Sequence, residues 1–475
     1  MTANDLIHAF PDDLGTRLAQ HQSRCYKIFK HVEAGSELYV RIDDVVDWPE
    51  DSDVTTYEQY IHVSILSDEI IAYDSELFYQ ENSNQTSGAY RPYFIQFTIP
   101  VHSPEQFQKL SAIGRYWYLA KFTTDQDQRM ELEPGTFYLD GALETSASPV
   151  VYIQGRLLIF SNRSIKQDIL KQIRNVYDPQ KFAPTYNDVV ETILNRCWDR
   201  DSLQTIDVYN VGHGNADYLR GSHRRILYDI GYNYRCCPNR RPHKSRYWRA
   251  VSAIRRLKPD CVILSHWDLD HIIGCAYAQQ QIFDVPWIAP HLISNKDAKA
   301  SVNAVRLANY LNYLGNLYLV DRNQTTYLIA TVPMKSGTVM ELRLGNATGS
   351  RMLSVRNKEG LFLDIYGTSH ILLGGDVPYH CMSLPWPHKI DYMHVPHHGS
   401  AMEIPLLNHP NVKGTLAVIS TNRLANGNLN RNNYHYNMLM QAFRHVMCTI
   451  DNSSNDDEQN LSIQITCKNR HYHIR

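Results

Sequence analysis

The run Ser265-His266-Trp267-Asp268-Leu269-Asp270-His271 places two imidazoles and two carboxylates within six residues. Such side chains hold divalent cations: Zn²⁺ takes N and O donors at about 2.0–2.2 Å, and Mn²⁺ gains as carboxylates accumulate. In an extended loop, residues 266, 268 and 270 project to one side, and a turn at 271 brings the next imidazole to the same centre. A plainer reading makes Asp268 or Asp270 the N-cap of a helix starting near Ile272, with both histidines on the surface. A cap explains one acid and hardly all four groups.

Two later segments supply the same chemistry. In Leu372-Leu373-Gly374-Gly375-Asp376 an apolar run ends at a glycine pair and one carboxylate, and the glycines let backbone pass close to whatever Asp376 holds. In Val395-Pro396-His397-His398-Gly399-Ser400 another apolar run ends in paired imidazoles. Each alone reads equally well as a turn. Three unrelated turns in this order are a much weaker explanation than one metal site. Spacing does not separate His397 from His398 as the donor.

The order His-x-Asp-x-Asp-His, Gly-Gly-Asp, His-His-Gly-Ser resembles the metallo-β-lactamase-fold hydrolases, particularly the ComEC-type DNA-uptake hydrolase domain. Val211-Gly212-His213-Gly214-Asn215-Ala216 is similar to that group's Val-Gly-Gln-Gly-Asp-Ala opening, and Asp229-Ile230-Gly231 to its Asp-Thr-Gly. The resemblance spans residues 203–475. It implies an αββα sandwich with one or two metal ions at the sheet edge, His266, Asp268, Asp270, His271 and Asp376 as ligands, Asp376 as the bridge, and His397 or His398 completing the set. The chain departs from the pattern in having Asp268 where His is commoner, and in lacking a clear further His; His291 and His370 are the only weak matches.

The elements that must carry these residues are those of an α/β protein. Alternating or continuous apolar runs mark strands near 204–211, 218–220, 225–231, 261–265, 361–367, 370–376, 390–395 and 415–421, with helices near 247–256 and 437–445. Residues 1–200 read as a separate strand-rich α+β domain, with linking helices at 165–177 and 187–198. That domain shows no cluster of catalytic residue types, and its function is unknown; a protein partner is one use for its Tyr-rich, acidic surface.

The 475 residues are 43% hydrophobic and 20% charged, which excludes a disordered tail or a disulfide scaffold. The net charge of −2 hides an asymmetry. Residues 1–200 hold 18 Lys+Arg against 29 Asp+Glu, and residues 201–475 hold 29 against 20. Arg240, Arg241, Lys244 and Arg246 sit in a run from Arg220 to Arg256 whose only acid is Asp229. The run is either a solvated basic face or a phosphate-binding rim, with Tyr232, Tyr234, Tyr247 and Trp248 able to stack on bases. Ser400 and Asn422 are weaker substrate-binding candidates. His435 in Asn433-Tyr434-His435 either meets substrate phosphate, as a catalytic group, or caps a helix. Nine cysteines without a Cys-x-x-Cys pair, no signal-like N-terminus and no apolar run of about 20 residues lead to the expectation of a cytoplasmic protein away from membranes. The expected activity is metal-dependent phosphodiester hydrolysis of DNA or RNA, with Asp270 acting on the attacking water. The alternatives are hydrolysis of a small anionic ester such as a cyclic nucleotide, and a non-catalytic module in which metal is structural.

Overall fold

The structure is a computed structural model that describes residues 37–44, 59–79, 94–95, 97–101, 117–123, 138–141, 150–151, 156–160, 165–198, 200–212, 214–232, 248–276, 278–293, 300–347, 355–367, 369–384, 390–399, 414–420, 434–449, 462–466 and 471–474. These fall into two compact units. One takes the described residues up to Lys181 together with 300–310, and the other takes the rest from Phe182 onward.

The first unit is strand-rich. Its strands are β1 (Glu37–Asp44), β2 (Gln59–Leu66), β3 (Phe94–Ile95), β4 (Phe97–Val101), β5 (Tyr118–Thr123), β6 (Tyr138–Gly141), β7 (Val150–Val151) and β8 (Arg156–Phe160). Six of them form an antiparallel sheet in the order β4-β2-β1-β5-β8-β6. Helix α1 (Asp68–Tyr79) starts where Ser67 Oγ accepts the Ile70 N–H at 3.3 Å, with Asp68 and Glu69 at its positive end. Helix α2 (Gln167–Tyr177) turns Ile173, Val176 and Tyr177 inward. The unit encloses an ion pair: Arg306 places Nε at 3.0 Å and Nη2 at 2.9 Å from Asp74 Oδ2, which also accepts the Tyr177 hydroxyl. Arg306 lies in 300–310, so a segment from the later half of the sequence is needed to neutralise a carboxylate buried in the first unit.

The second unit opens with helix α3 (Asn187–Trp198), followed by β9 (Thr205–Tyr209), β10 (Asp217–Arg220), β11 (Arg225–Tyr228), helix α4 (Trp248–Ile254), β12 (Cys261–Ile263), helix α5 (Leu269–Ile272), β13 (Trp287–Pro290), β14 (Leu317–Val320), β15 (Leu328–Pro333), β16 (Val339–Leu344), β17 (Leu361–Tyr366), β18 (Ile371–Leu373), β19 (Tyr392–His394), β20 (Gly414–Ile419), helix α6 (Tyr434–Ala442), β21 (Phe443–Cys448), β22 (Ser462–Thr466) and β23 (His471–Ile474). Two mixed sheets result, ordered β14-β13-β12-β11-β10-β9-β22-β23 and β15-β16-β17-β18-β19-β20-β21. Their inner faces share one core: Ile226, Tyr228, Cys261 and Ile263 meet Leu361, Leu363, Ile365, Ile371 and Leu373. The i, i+2 spacing of these residues is the strand period. Val262, Leu227 and Phe362 between them are also fully buried, which is why these strands read as continuous apolar runs. Helix α3 adds Val190, Ile193, Leu194 and Trp198 to the same core and packs along β15. The unit is the expected α/β sandwich of two sheets with helices.

One expected element differs. The helix expected at 437–445 lies at 434–442, and the chain then switches to β21, because Phe443, His445 and Val446 complete a parallel edge on β20. Among the described residues no helix is long and apolar enough to cross a membrane.

Candidate metal centre

Strands β11, β12, β18, β19 and β20 run parallel within their sheets, and each releases its chain toward the same edge. Carboxyl ends of parallel strands are where backbone leaves the ladder and side chains are free to converge. Asp229 follows β11, Ser265–His271 follow β12, Gly374-Gly375-Asp376 follow β18, His397-His398 follow β19, and Ser420 follows β20.

Asp376 is the meeting point. Its Oδ1 lies 3.2 Å from His271 Nε2 and 3.6 Å from His398 Nε2, which is itself 3.2 Å from Asp270 Oδ2. Its Oδ2 lies 3.6 Å from His266 Nε2 and 4.0 Å from His397 Nε2, and His266 Nε2 is 3.4 Å from Asp268 Oδ2. Two donor sets therefore face opposite oxygens of one carboxylate: Asp270, His271 and His398 on one side, His266, Asp268 and His397 on the other. His266, His271 and Asp376 offer ligand atoms mutually within 4.8 Å, as do Asp270, His271 and His398.

Local structure explains the convergence. The chain turns into α5 at Leu269, so Asp270 arrives from a helical turn rather than from the extended loop expected for it, while His271 lies in the turn expected there. Asp268 occupies the N-cap position, yet its side chain makes no capping bond and turns to His266, which removes the simple capping reading. Gly375 has φ +53°, and a Cβ there would sit 2.5 Å from Ser265 Cβ, so only glycine lets the Asp376 loop lie against the His266 loop. A Cβ on Gly231 would sit 2.1 Å from the Asp270 carbonyl oxygen, and Ile230 N–H donates to His271 O at 3.0 Å; the Asp229-Ile230-Gly231 turn backs the same loop. His397 and His398 take φ +51° and +54°, a left-handed pair that costs each residue about 1–2 kcal/mol. That cost aims both imidazoles at Asp376 from one loop. His397 N–H donates to Gly375 O at 3.0 Å, and His398 Nδ1 to Ser420 O at 3.0 Å.

The outer partners were not foreseen from sequence. Asp229 Oδ2 accepts from His271 Nδ1 at 2.8 Å and Ser265 Oγ at 2.7 Å, while Oδ1 accepts from Ser265 N–H at 2.6 Å. Ser265 Oγ also lies 3.0 Å from His266 Nδ1. With Nδ1 tied back, His266 and His271 each present Nε2 to Asp376, as metal-binding histidines do. The only sequence signal was an apolar strand ended by Asp-x-Gly. Asn357 Nδ2 reaches Asp376 Oδ2 at 3.5 Å.

Charge follows the geometry. Burial works against a charged His271, but Asp376, Asp229 and Asp270 overcome it and raise its pKa well above the usual imidazole value. Burial opposes the Asp376 anion as well, and His271, His398 and His266 nonetheless hold its carboxyl well below the ordinary range. His397 goes the other way, lowered chiefly by burial. Among the described residues, the buried His266 Nε2, His271 Nε2 and Asp376 Oδ1 make no well-formed hydrogen bond and meet only the ion-pair contacts given above. Buried polar atoms left so are rare and costly. A divalent cation held by these donors would satisfy all three, so the residues present fit a metal.

Of the other expected site residues, His435 is fully buried with Nε2 3.0 Å from the Tyr379 hydroxyl, and it belongs to neither donor set. His291 Nε2 faces Phe182 O at 2.9 Å, and His370 Nε2 faces Asp364 Oδ1 at 2.6 Å. Asn215 is buried beside Gly231. Arg240, Arg241, Lys244, Arg246, Ser400, Asn422 and His213 lie outside the described residues. Within the basic run, Arg220 pairs with Asp207 at 2.7 Å and Arg224 with Asp260 at 3.2 Å, and Tyr232 is packed inside rather than presented for stacking.

No protein-family model and no curated protein matches the chain. Solved structures do. The metallo-beta-lactamase-fold protein YhfI from Bacillus subtilis is 11% identical over 51% of this chain and 96% of its own, with a TM-score of 0.30. A metallo hydrolase from the hyperthermophilic archaeon Ignicoccus hospitalis is 12% identical over 51% and 94%, at 0.31. A diphosphatase of the PhnP family is 12% identical over 51% and 87%, at 0.26. At such scores the likeness carries no weight for the site, whose reading rests on its own geometry.

Proposed function

We propose that the second unit is a metal-dependent phosphodiester hydrolase acting on DNA or RNA. The observation that carries this reading is the sharing of Asp376: opposite oxygens of one buried carboxylate face two adjoining sets of imidazole and carboxylate donors. Asp270, His271 and His398 would hold one ion, His266, Asp268 and His397 a second, and Asp376 both. A bound divalent ion would make a coordinated water more acidic, lowering its pKa toward about 7, and would offset charge developing on a phosphoryl oxygen.

The chain's own residues do the rest. Asp270 is partly open to solvent while its Oδ2 stays 3.2 Å from His398 Nε2, so it can orient the attacking water and accept its proton. Asp229 and Ser265 hold His271 and His266 with their Nε2 atoms forward. The basic run that holds Arg240, Arg241, Lys244 and Arg246 supplies the guanidinium and ammonium groups suited to a phosphate backbone. The excess of base over acid after residue 200 supports an anionic substrate. The acidic residues 1–200 are the part of the chain left for a protein partner.

The test is to assay purified protein for bound metal, then to screen it with Zn²⁺ and with Mn²⁺ against single- and double-stranded DNA, RNA and cyclic nucleotides. Cleavage of a nucleic acid that is lost in His271→Ala, with one or two equivalents of metal in the parent, is the expected result. Turnover of cyclic nucleotides alone would move the assignment to a small ester. Bound metal with no turnover of any substrate would leave only a structural role for the ion.

A further inference from the structure

One polar chain in the second unit is not used by the donor sets themselves. Strand β19 reads Tyr392-Met393-His394, an apolar strand with a single imidazole, and His394 is buried. Its Nδ1 lies 2.7 Å from Asp217 Oδ2, on β10 of the opposite sheet, and its Nε2 lies 2.9 Å from Ser420 Oγ, just past β20. Asp217 and Ser420 are completely buried too. Ser420 has a second duty: its carbonyl oxygen accepts from His398 Nδ1 at 3.0 Å.

We propose that Asp217, His394 and Ser420 form a buried positioning relay that fixes the orientation and tautomer of His398, and through it the donor set on the Oδ1 side of Asp376. The inference rests on the metal reading for the identity of what His398 binds, and on geometry alone for the relay.

Each link sets the next. The Asp217 carboxylate accepts from Nδ1–H of His394, which leaves Nε2 as an acceptor. The Ser420 hydroxyl donates to that nitrogen, which pins the residue at the point where the chain leaves β20. The Ser420 carbonyl is thereby aimed at the 397–398 loop, where it accepts the hydrogen bond of His398 Nδ1–H and leaves Nε2 directed at Asp270 and Asp376. His398 needs such support, because φ +54° is a conformation a non-glycine residue keeps only when its surroundings enforce it. The first link also ties the two sheets together at the edge that carries the site, since Asp217 belongs to one and His394 to the other. A hydrophobic residue at 394 would suit the strand pattern better, so the imidazole is there for its two nitrogens.

Ser420→Ala removes the hydroxyl link and keeps the carbonyl, whereas changing Asp217 or His394 leaves a buried polar group without its hydrogen-bond partner and endangers folding. Zn²⁺ titration against a chromophoric chelator should show two classes of site in the parent. Ser420→Ala should weaken one class 10- to 100-fold, the range for outer-shell partners, and leave the other in place. Ser420→Thr, which keeps the hydroxyl, should restore it. Both classes unchanged in Ser420→Ala, or both weakened equally together with the melting temperature, would overturn the relay and leave a structural clamp. The metal-free chain gives a separate readout through ¹⁵N-histidine signals. His398 should be protonated at Nδ1 in the parent and in Ser420→Thr, and mixed between Nδ1 and Nε2 in Ser420→Ala. A parent that takes up no ion sinks the metal reading, and the tautomer measurement then decides the relay alone: an unshifted His398 in Ser420→Ala refutes it.

Discussion

Asp229→Asn is the sharpest perturbation of the centre, because it changes chemistry without changing shape. Asp229 has φ +59°, a left-handed conformation that asparagine tolerates as well as aspartate does, so the backbone is not disturbed. The native carboxylate accepts three hydrogen bonds, from Ser265 N–H, Ser265 Oγ and His271 Nδ1, at 2.6, 2.7 and 2.8 Å. An amide offers one oxygen and two protons. With its oxygen toward Ser265 N–H, its NH₂ confronts His271 Nδ1 donor to donor. The imidazole escapes by giving up its Nδ1 proton and holding one on Nε2, the nitrogen 3.2 Å from Asp376 Oδ1 that must be bare to bind a cation. The expected loss is 10- to 100-fold in metal affinity, or about 1.4–2.7 kcal/mol. With the amide reversed, Ser265 N–H is left buried and unmatched, which costs about 1–3 kcal/mol of stability instead. Chelator competition reads the first outcome, and urea denaturation of metal-free protein reads the second. An Asp229→Asn variant that binds Zn²⁺ within twofold of the parent and unfolds at the same urea concentration would refute the claim that Asp229 selects the His271 tautomer.

Two further perturbations test the scaffold. Burial works against an anionic Asp201, but backbone N–H groups of His223, Arg224 and Ser202 at 2.6–2.8 Å hold its pKa at about 2 against an ordinary 3.8. A depressed carboxyl contributes stability that is complete above pH 3.8 and lost as pH falls through 3.8 toward 2. Asp201→Asn should therefore cost about 2 kcal/mol at pH 7 by urea denaturation, with the gap closing by pH 2; a gap of constant size would contradict this. Gly375→Ala would force a side chain into a left-handed residue and onto Ser265, costing roughly 2–4 kcal/mol from strain and overpacking together. Metal uptake should fall with it, since Asp376 is pushed away from His266 and His271, and parental stability and uptake in that variant would show the two loops are not in contact.

Much of the fold follows from local patterns. The runs at 226–228, 261–263, 361–365 and 371–373 are strands buried on both faces, and the polar residues that follow them mark where backbone leaves the sheet. His266, Asp268, Asp270 and His271 announce their chemistry because they share six positions. The boundary of α6 and β21 was not legible, since Phe443–Cys448 becomes a strand only by pairing with β20, a partner remote in sequence. Segment 300–310 was equally silent about its place, which the buried Asp74 decides by requiring Arg306.

The chain by itself determined which donor types it carries, that they end apolar strands, and that base outweighs acid after residue 200. Only the tertiary structure decided how they divide around the two oxygens of Asp376, that His397 and His398 both turn toward it, and that Asp229, Ser265 and the Asp217–His394–Ser420 series stand behind them. The reason is physical: side-chain type and strand period are properties of a few neighbouring residues, whereas a shared carboxylate or a fixed imidazole tautomer exists only when loops from separate strands are brought within hydrogen-bond distance.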